Sequence, residues 1–314
     1  MPSADITSKT RRDIDDAALE RLVQRLAAAP QPPWLHAEVA RRMGERLEII
    51  KLKPARIVDW WARAGAGGNT LHLAYPAARR TEVELQPADI AQRARWWPVA
   101  LTPAARVTQA RAGEVADGAA QLVWANMMLH LLADPMPTLR AWQRALSVDG
   151  FLMFSTLGPG SLQQLRALYG ANDWGPPLAA LTDMHDIGDM LVEAGFADPV
   201  MDQELLTLTW PDARAALLEL RSFGANLHPR RNAGLRTPRW RRRLEAGLQR
   251  MAGARNDDHS DGRNDDSNPG RIELTLEIVY GHAFKPLPRA RVLPESTVAL
   301  ADMRAMVRAG RGGG

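Results

Sequence analysis

Apolar residues at helical spacing open the chain. In residues 13–29 they recur every three or four positions, which predicts an amphipathic helix, and a proline-rich stretch at residues 30–33 ends it. Residues 35–49 repeat this pattern with one apolar face. The apolar positions are Ile14, Ala18, Leu19, Leu22, Val23 and Leu26 in the first helix and Leu35, Val39, Met43 and Leu47 in the second. Two N-terminal helices are therefore expected before the first strand.

The middle of the chain alternates short apolar runs with helical patterns. Strands are predicted at residues 56–59, 81–85, near Val107, and at 121–126 and 151–155. Helices are predicted at residues 70–78, 88–96, 136–146, 161–169 and 183–194, the last closed by Gly195 as a C-cap. The strand at 151–155 is almost entirely apolar, which is typical of a parallel sheet covered on both faces. This order predicts an α/β fold.

The end of the chain follows a different pattern. Apolar and polar residues alternate at residues 206–210 and again at 274–278. Period-two alternation indicates strands with one wet face, as at an antiparallel sheet edge. An insertion of about residues 211–270 separates them. Within it, residues 212–223 are predicted to be helical, and residues 252–270, rich in Asn, Asp, Gly and Ser, to be disordered.

Composition narrows the class of protein. The 314 residues are 46 % hydrophobic, enough for a sizeable core in one or two domains. There is no cysteine, which excludes disulfides, thiolate catalysis and cysteine-ligated zinc, and no metal site is predicted. Residues 1–16 lack the apolar core of a signal peptide, and no apolar run is long enough to span a bilayer. We therefore expect a cytoplasmic protein with no membrane partner.

Residues 56–85 have the strand–turn–helix–strand order of a nucleotide-binding unit. Asp59 ends the first strand, and Glu84 lies 25 residues later at the end of the second, where a carboxylate accepts both ribose hydroxyls of a nucleoside. The turn after the first strand contains Gly65, Gly67 and Gly68, and glycine permits positive φ and close approach of a ligand. The alternatives are a solvated loop acid and an ordinary loop.

Three polar residues outside this unit are further candidates. Asn126 lies at the carboxyl end of a buried strand, at the edge where ligands of open α/β sheets bind. His130 is four residues further on, and His185 lies at the start of the helix predicted at 183–194. Both histidines also have a structural interpretation, His130 as a packed core residue and His185 as part of a helix cap.

Arginine dominates the basic residues of this chain. Only four of the 40 Lys and Arg residues are lysines, and the net charge is +4. The arginines that cluster around Trp240 are Arg230, Arg231, Arg236, Arg239, Arg241, Arg242, Arg243 and Arg250. This cluster is either a solvated helix face or a docking surface for an acidic partner, which it would attract electrostatically. The modest net charge and the lack of a recognisable motif argue against nucleic acid.

Six short segments of the chain are distinctive, namely residues 11–14, 38–43, 154–162, 183–189, 194–202 and 280–283. They resemble segments of the malonyl-[acyl-carrier protein] O-methyltransferases, a family that acts in biotin synthesis. The resemblance spans nearly the whole chain and is most specific between residues 151 and 202.

The resemblance implies a class I methyltransferase fold, a Rossmann-like α/β fold with a seven-stranded sheet and an antiparallel last strand. The chain would then comprise an N-terminal helical segment (1–53), an α/β core that binds S-adenosyl-L-methionine, or SAM (54–210), an arginine-rich insertion (211–271), and a last strand with a tail (272–314). The implied methyl acceptor is the free carboxylate of a malonyl thioester. Because that carboxylate is ionised at pH 7, positioning in line with the methyl group suffices and no general base is needed.

The resemblance also implies roles for individual residues. Glu84 would bind the ribose of SAM, and Gln109 stands where an acid contacts the adenine amine. The cofactor-binding candidates are Asp59, Gly65, Glu84, Gln109 and Asn126. The substrate-positioning candidates are His185 and Arg166. The arginines between Arg230 and Arg250 would receive the acyl-carrier protein or another acidic protein.

Five residues depart from the pattern of this family. Trp61 and Arg63 replace two glycines of the glycine-rich turn, Gln109 and Gln121 stand where acids are usual, and Ile14 replaces an aromatic residue. Two hypotheses follow. The first is an active SAM-dependent carboxyl methyltransferase. The alternative is a degenerate methyltransferase fold that no longer binds SAM and acts as a binding or regulatory protein.

Overall fold

The computed structural model describes residues 11–84, 107–232, 234–257 and 271–287. Its α-helices are α1 (Asp16–Ala28), α2 (Trp34–Glu45), α3 (Ala62–Gly65), α4 (Gly68–Ala74), α5 (Met136–Ala145), α6 (Gln163–Ala171), α7 (Met184–Glu193), α8 (Ala213–Phe223) and α9 (Pro238–Asp257). Its strands are β1 (Arg56–Trp60), β2 (Arg79–Val83), β3 (Val107–Ala110), β4 (Ala120–Ala125), β5 (Leu146–Leu157), β6 (Ala197–Trp210) and β7 (Ile272–Phe284). No described helix is both long and apolar enough to cross a bilayer.

The strands form one seven-stranded sheet in the order β3-β2-β1-β4-β5-β7-β6. Strands β1 to β5 pair in parallel, whereas β7 runs antiparallel to both of its neighbours, β5 and β6. This confirms the predicted sheet with an antiparallel last strand. Because parallel strands all end at one edge, the loops after β1, β4 and β5 lie together there, and this is where a ligand of such a sheet binds.

Alternating side chains of the central strands build two apolar layers. Val58, Val123 and Leu152 belong to one buried cluster, which includes residues of α1, α5 and α7. The intervening residues of these strands, such as Ile57 and Leu122, belong to a second cluster with residues of α2, α4, α6, α8 and α9. Helices therefore cover both faces of the sheet, which explains why its central strands are apolar throughout.

Short polar side chains mark where several helices begin. Asp15, Asp183 and Asp212 each cap a helix, and their carboxylates accept a backbone N–H of the first turn at 2.8 Å. The predicted C-cap Gly195 has φ 94°, a left-handed conformation that glycine adopts without strain. These signals explain why α1, α7 and α8 begin within a few residues of their predicted positions.

Some predicted elements differ from the structure. The helix predicted at 70–78 spans Gly68–Ala74 instead, because the residue before Pro76 disfavours helical geometry. Residues 252–257, predicted to be disordered, belong to α9. The rest of that predicted loop, the helix predicted at 88–96 and the C-terminal tail from residue 288 lie outside the described residues.

The insertion packs against the sheet core through three aromatic rings. These rings meet edge to face, with centroids 5.4 to 6.2 Å apart. They belong to Tyr169 in α6, to Trp174 in the segment after α6, and to Trp240 in α9. Such aromatic pairs add stability beyond the apolar area that they bury. The guanidinium of Arg236 covers the Trp240 ring at 4.2 Å from its centroid. Helix α9 is therefore held on the core at its N-terminal end.

The loop after β5 is fixed by a buried carboxylate. Glu277 of β7 is 8 % exposed and accepts the N–H of Gly160 at 2.6 Å. A Cβ atom on Gly158 or Gly160 would lie 2.3 Å from a Glu277 carboxylate oxygen, so a side chain at either position would displace the carboxylate. Ser161 Oγ adds a hydrogen bond to the Glu277 carbonyl at 3.1 Å. These contacts hold residues 158–161, which lead from β5 into α6, in a defined position.

We expect Gly281→Ala to destabilise the protein by about 1–3 kcal/mol or more. Gly281 pairs with Phe154 across β7 and β5, and a Cβ atom would lie 2.1 Å from Phe154 Cε1. Because Phe154 is fully buried, its ring has no free space to enter. Urea denaturation followed by circular dichroism measures the change.

The matched control is Gly170→Ala in α6, where a Cβ atom would meet nothing within 4 Å. Alanine is the better helix former, so this variant should be stabilised by about 0.5–1 kcal/mol. Equal stability of the two variants would contradict the prediction.

Candidate functional site

The turn after β1 holds a tryptophan in a left-handed conformation. Trp61 has φ 58° and ψ 46°, and its N–H donates to the Val83 carbonyl at 2.6 Å. This conformation costs a non-glycine residue roughly 1–2 kcal/mol. The Trp61 side chain is only 7 % exposed and belongs to the apolar cluster that contains Trp60, so burial offsets the strain. The turn keeps the backbone shape that glycine would allow, with a large side chain attached.

The carboxylate of Glu84 lies beside this turn, directly after β2. Its Oε1 accepts the backbone N–H of Arg63 at 3.1 Å, and the residue is 7 % exposed. The guanidinium of Arg63 instead donates to the carbonyl of Ala29 at 2.6 Å, at the C-terminal end of α1. Glu84 is thus held at the predicted place, and the Arg63 side chain joins the turn to α1.

Asn126 lies behind the turn and connects it to two other elements. Its amide nitrogen donates to the carbonyls of His36 at 2.7 Å and Gly65 at 2.5 Å, and its Oδ1 accepts the hydroxyl of Ser155 at 2.6 Å. The residue is 1 % exposed. Asn126 therefore positions Gly65, α2 and β5, and a direct contact with a cofactor stays a prediction.

The other two cofactor candidates lie on strands of this half of the sheet. Asp59 is 1 % exposed, and a Cβ atom on Gly67 would lie 3.2 Å from its Oδ1 and 2.4 Å from Trp124 Nε1. Only glycine fits at Gly67, so the start of α4 lies directly over Asp59. Gln109 is half-buried on the edge strand β3, in register with Glu82. The roles of both residues stay predictions.

A cleft of about 710 Å³ adjoins the carboxyl edge of the sheet. The loops after β4 and β5 form its inner wall, with Met127, His130 and Leu157. Helices α1, α8 and α9 form the other walls, and most of the surface is apolar. A cleft of this size, with apolar walls and a few polar groups, is typical of a small-molecule site.

Comparison of the sequence with known proteins identifies the family of this chain. The methyltransferase-domain family matches residues 63–154, from the β1 turn to β5. The malonyl-[acyl-carrier protein] O-methyltransferase of Gallionella capsiferriformans is 37 % identical over 285 residues, 88 % of this chain and 93 % of that protein. The enzyme of the same name from Laribacter hongkongensis is 36 % identical over 293 residues, 90 % of this chain and 91 % of that protein.

The chain belongs to the malonyl-[acyl-carrier protein] O-methyltransferase family. The resemblance found in the short segments of the sequence is confirmed over most of the chain. Nothing in these comparisons supports the alternative of a degenerate fold.

The two substrate-positioning candidates lie away from the cleft of this family member. His185 is exposed, and its Nδ1 lies 2.7 Å from the Asp183 carboxylate at the start of α7. Burial lowers the pKa of Arg166, whose Nε and one Nη atom have no hydrogen-bond partner among the described residues. Neither residue lines the cleft. Their role in binding the substrate therefore stays a prediction.

Sequence reasoning missed three arginines that do line the cleft, Arg21, Arg25 and Arg221. They occupy polar positions of amphipathic helices. Because arginine is common throughout this chain, an arginine at such a position gives no sign of a function. The one available signal is the spacing of Arg21 and Arg25, which places both on one face of α1.

The arginines of α9 form a separate surface on this methyltransferase-family fold. Arg239, Arg242, Arg243 and Arg250 line a shallow groove of about 460 Å³ beside α6. All four are exposed, and none makes an ion pair with a carboxylate within the described parts of the chain. We call this surface the arginine groove. It is an uncompensated positive patch, which attracts acidic partners.

Two histidines lie in or beside this site, His36 buried in α2 and His130 half-buried in the cleft wall. His36 is 2 % exposed and its Nδ1 bonds to the Ala64 carbonyl at 2.7 Å, while His130 Nδ1 lies 3.3 Å from Thr156 Oγ1. Burial lowers the pKa of His36 to about 4 and that of His130 to about 3. Both rings are therefore neutral at pH 7.

We expect stability to fall as the pH drops from about 6.5 to about 4, in part because of His36. In that window the unfolded chain takes up a proton that the folded ring, with its pKa of about 4, does not accept. The contribution of His36 to the free energy of unfolding is fully present above pH 6.5. Below that pH it is lost with a slope of up to about 1.4 kcal/mol per pH unit.

His36→Asn tests this prediction, because the asparagine amide can replace Nδ1 as donor to Ala64 but does not titrate. Urea denaturation at several pH values should show a shallower loss of stability in the variant between pH 6.5 and 4. An unchanged slope would show that His36 is not responsible.

Proposed function

We propose that this protein transfers the methyl group of SAM to the free carboxylate of a malonyl thioester carried by an acyl-carrier protein. The main support is the family match over 88 % of the chain, together with the retention of Glu84 at the end of β2. The product, a methyl ester, would enter biotin synthesis as the resemblance implies.

The residues around the β1 turn suit the methyl donor. Glu84 offers a buried carboxylate to ribose hydroxyls. Gly65 lets the turn pack closely on Asn126, since its Cβ would approach the Asn126 carbonyl to 3.2 Å. The side chains of Trp61 and Arg63 are held by the protein itself, in the core and against Ala29. These contacts support a site built from Glu84 and the backbone of the turn.

The chemistry needs little from acid or base groups. When bound, SAM supplies a methyl group on a positively charged sulfur, which accepts the electron pair of the broken carbon–sulfur bond. One carboxylate oxygen of the substrate forms the new bond to carbon, and no proton moves because the acid is ionised at pH 7. The protein's contribution is to hold the carboxylate in line and to exclude water, which raises the rate through orientation. The neutral His130 in the cleft wall is consistent with this.

Glu84→Gln should weaken binding of SAM and S-adenosylhomocysteine about tenfold or more, because an amide replaces the charged acceptor of two hydroxyl groups. The amide oxygen can still accept the Arg63 N–H, so the turn should remain folded. Calorimetric titration measures both ligands, and transfer of labelled methyl to malonyl-carrier protein measures activity. The control is the exposed Glu114→Gln, which should match the wild type.

Two results would contradict the proposed function. Wild-type protein that binds no SAM at millimolar concentration would favour the degenerate alternative. Wild-type protein that binds SAM but methylates neither malonyl-carrier protein nor malonyl-coenzyme A would show that another acid is the acceptor.

We further propose that the arginine groove, within the cluster between Arg230 and Arg250, receives the acidic carrier protein. Support comes from four exposed arginines without carboxylate partners among the described residues. Exposed charges of this kind mainly raise the association rate and orient the partner.

Replacing Arg239 and Arg242 together by glutamate should raise KM for malonyl-carrier protein about tenfold and leave KM for malonyl-coenzyme A within twofold. The difference between substrates follows because only the protein substrate covers the groove. The effect should shrink at high salt, which screens exposed charges. Arg79→Glu is the control, since Arg79 is exposed at the start of β2, at the opposite edge of the sheet. Equal changes for both substrates would exclude a docking role.

A further inference from the structure

The cleft beside the carboxyl edge of the sheet has a one-sided charge. Six of the described residues that line it are arginines, and none of them is aspartate or glutamate. The arginines come from α1, from α8, and from the chain between α8 and the first turn of α9. Arg25, Arg231 and Arg236 are half-buried and the other three are exposed, and a cluster of like charges repels itself unless an opposite charge binds within it.

Three of these arginines have partners within the protein. Arg231 makes an ion pair with Asp15 at 2.6 Å, and Arg241 makes one with Glu245 at 2.8 Å. Arg236 donates to the carbonyl of Trp174 at 3.0 Å and stacks on Trp240. Their guanidinium groups are therefore committed to holding the insertion in place.

The other three, Arg21, Arg25 and Arg221, make no ion pair with any described carboxylate. Arg21 and Arg25 lie one turn apart on α1, and Arg221 lies on α8 near its C-terminal end. The geometry of the cleft brings all three to one wall.

Arg25 is the most strongly held of this group. One Nη atom donates to the carbonyl of Gly224 at 2.7 Å, and its Nε is buried with no hydrogen-bond partner among the described residues. Burial lowers the pKa of Arg25, and the charge of Arg221 lowers it further. The hydrogen bond to Gly224, three residues beyond Arg221, places Arg25 at the C-terminal end of α8. The guanidinium of Arg25 is thus held at the cleft by one hydrogen bond and is paired with no described carboxylate, so its charge is available to an anion.

We infer that Arg25 and Arg221, assisted by Arg21, bind an oxyanion of the acyl thioester substrate inside the cleft. The inference rests on the proposed function and deepens it, because it assigns the substrate's charged group to particular residues. Guanidinium forks bind carboxylates and phosphates through paired hydrogen bonds. The substrate has both groups, a malonyl carboxylate at one end and the phosphodiester of the carrier's pantetheine arm at the other.

Arg221→Met is the principal test, because Arg221 makes no hydrogen bond within the described structure and its loss should leave the fold intact. We expect KM for malonyl-carrier protein to rise at least tenfold, while Arg221→Lys restores part of the affinity. Arg25→Met should have an equal or larger effect. The matched control is Arg214→Met on the same helix, which is exposed and does not line the cleft.

Two further substrates identify the anion. Malonyl-pantetheine has the carboxylate but no phosphate, and malonyl-coenzyme A has both. If Arg221→Met raises KM for both, the arginines bind the carboxylate. If it raises KM for malonyl-coenzyme A alone, they bind the phosphate. If the variants match the wild type with every substrate, the inference is wrong.

Failure of the proposed function can be told apart from failure of this inference. If the wild-type protein transfers no methyl group, direct calorimetric titration with malonyl-coenzyme A still tests the anion site. Binding by the wild type that weakens at least tenfold in Arg221→Met would support the site. Binding that is absent in the wild type, or equal in both proteins, would overturn it.

Discussion

The hydrogen bonds of the Asn126 side chain join the parts of the molecule that form the candidate site. Its amide donates to the carbonyls of Gly65 and His36, and its oxygen accepts from Ser155, so one residue connects the β1 turn, α2 and β5. An apolar residue here would remove these three buried hydrogen bonds, each worth roughly 0.5–1.5 kcal/mol. The lack of a side chain at Gly65 is part of the same arrangement, since a Cβ atom would press against the Asn126 carbonyl.

This chain keeps the backbone conformation of the β1 turn although Trp61 and Arg63 replace two of the glycines that are usual there. Trp61 occupies the left-handed conformation that favours glycine, and the Trp61 N–H is paired with Val83. The strain of roughly 1–2 kcal/mol is offset by burial of a large aromatic side chain. Arg63, the second replacement, is held by Ala29. The two substitutions thus change which side chains support the turn and leave its hydrogen bond to Glu84 in place.

Much of the fold could be predicted because apolar residues recur at the short spacings that are typical of helices and strands. The apolar runs of β1, β4 and β5, and the alternation in β6 and β7, indicated five parallel strands followed by an antiparallel pair. Glu84 could be predicted from its place after a strand. The internal partners of Asn126 could not, because they lie 61 and 90 residues away in sequence. The cleft arginines were hidden for a related reason, since only the folded chain brings polar positions of α1 and α8, about 200 residues apart, to the same cleft.

The arginines of this chain divide into two sets that act over different distances. Those of the arginine groove are exposed, and their field reaches several ångströms into solvent before salt screens it. Those of the cleft range from half-buried, as Arg25 is, to exposed, as Arg21 and Arg221 are, and they stand among apolar walls where the shape of the cleft decides what binds. Helix α9 connects the two sets, because Trp240, Arg241 and Leu244 face the cleft while Arg239 and Arg242 face the groove.

A protein bound at the groove would therefore lie about one helix diameter, ~10 Å, from the cleft. That distance is within reach of an extended prosthetic arm. Recognition of the partner and recognition of its bound acid would then depend on opposite sides of the same helix. The aromatic contacts of Tyr169 and Trp174 with Trp240 hold that helix in place for both.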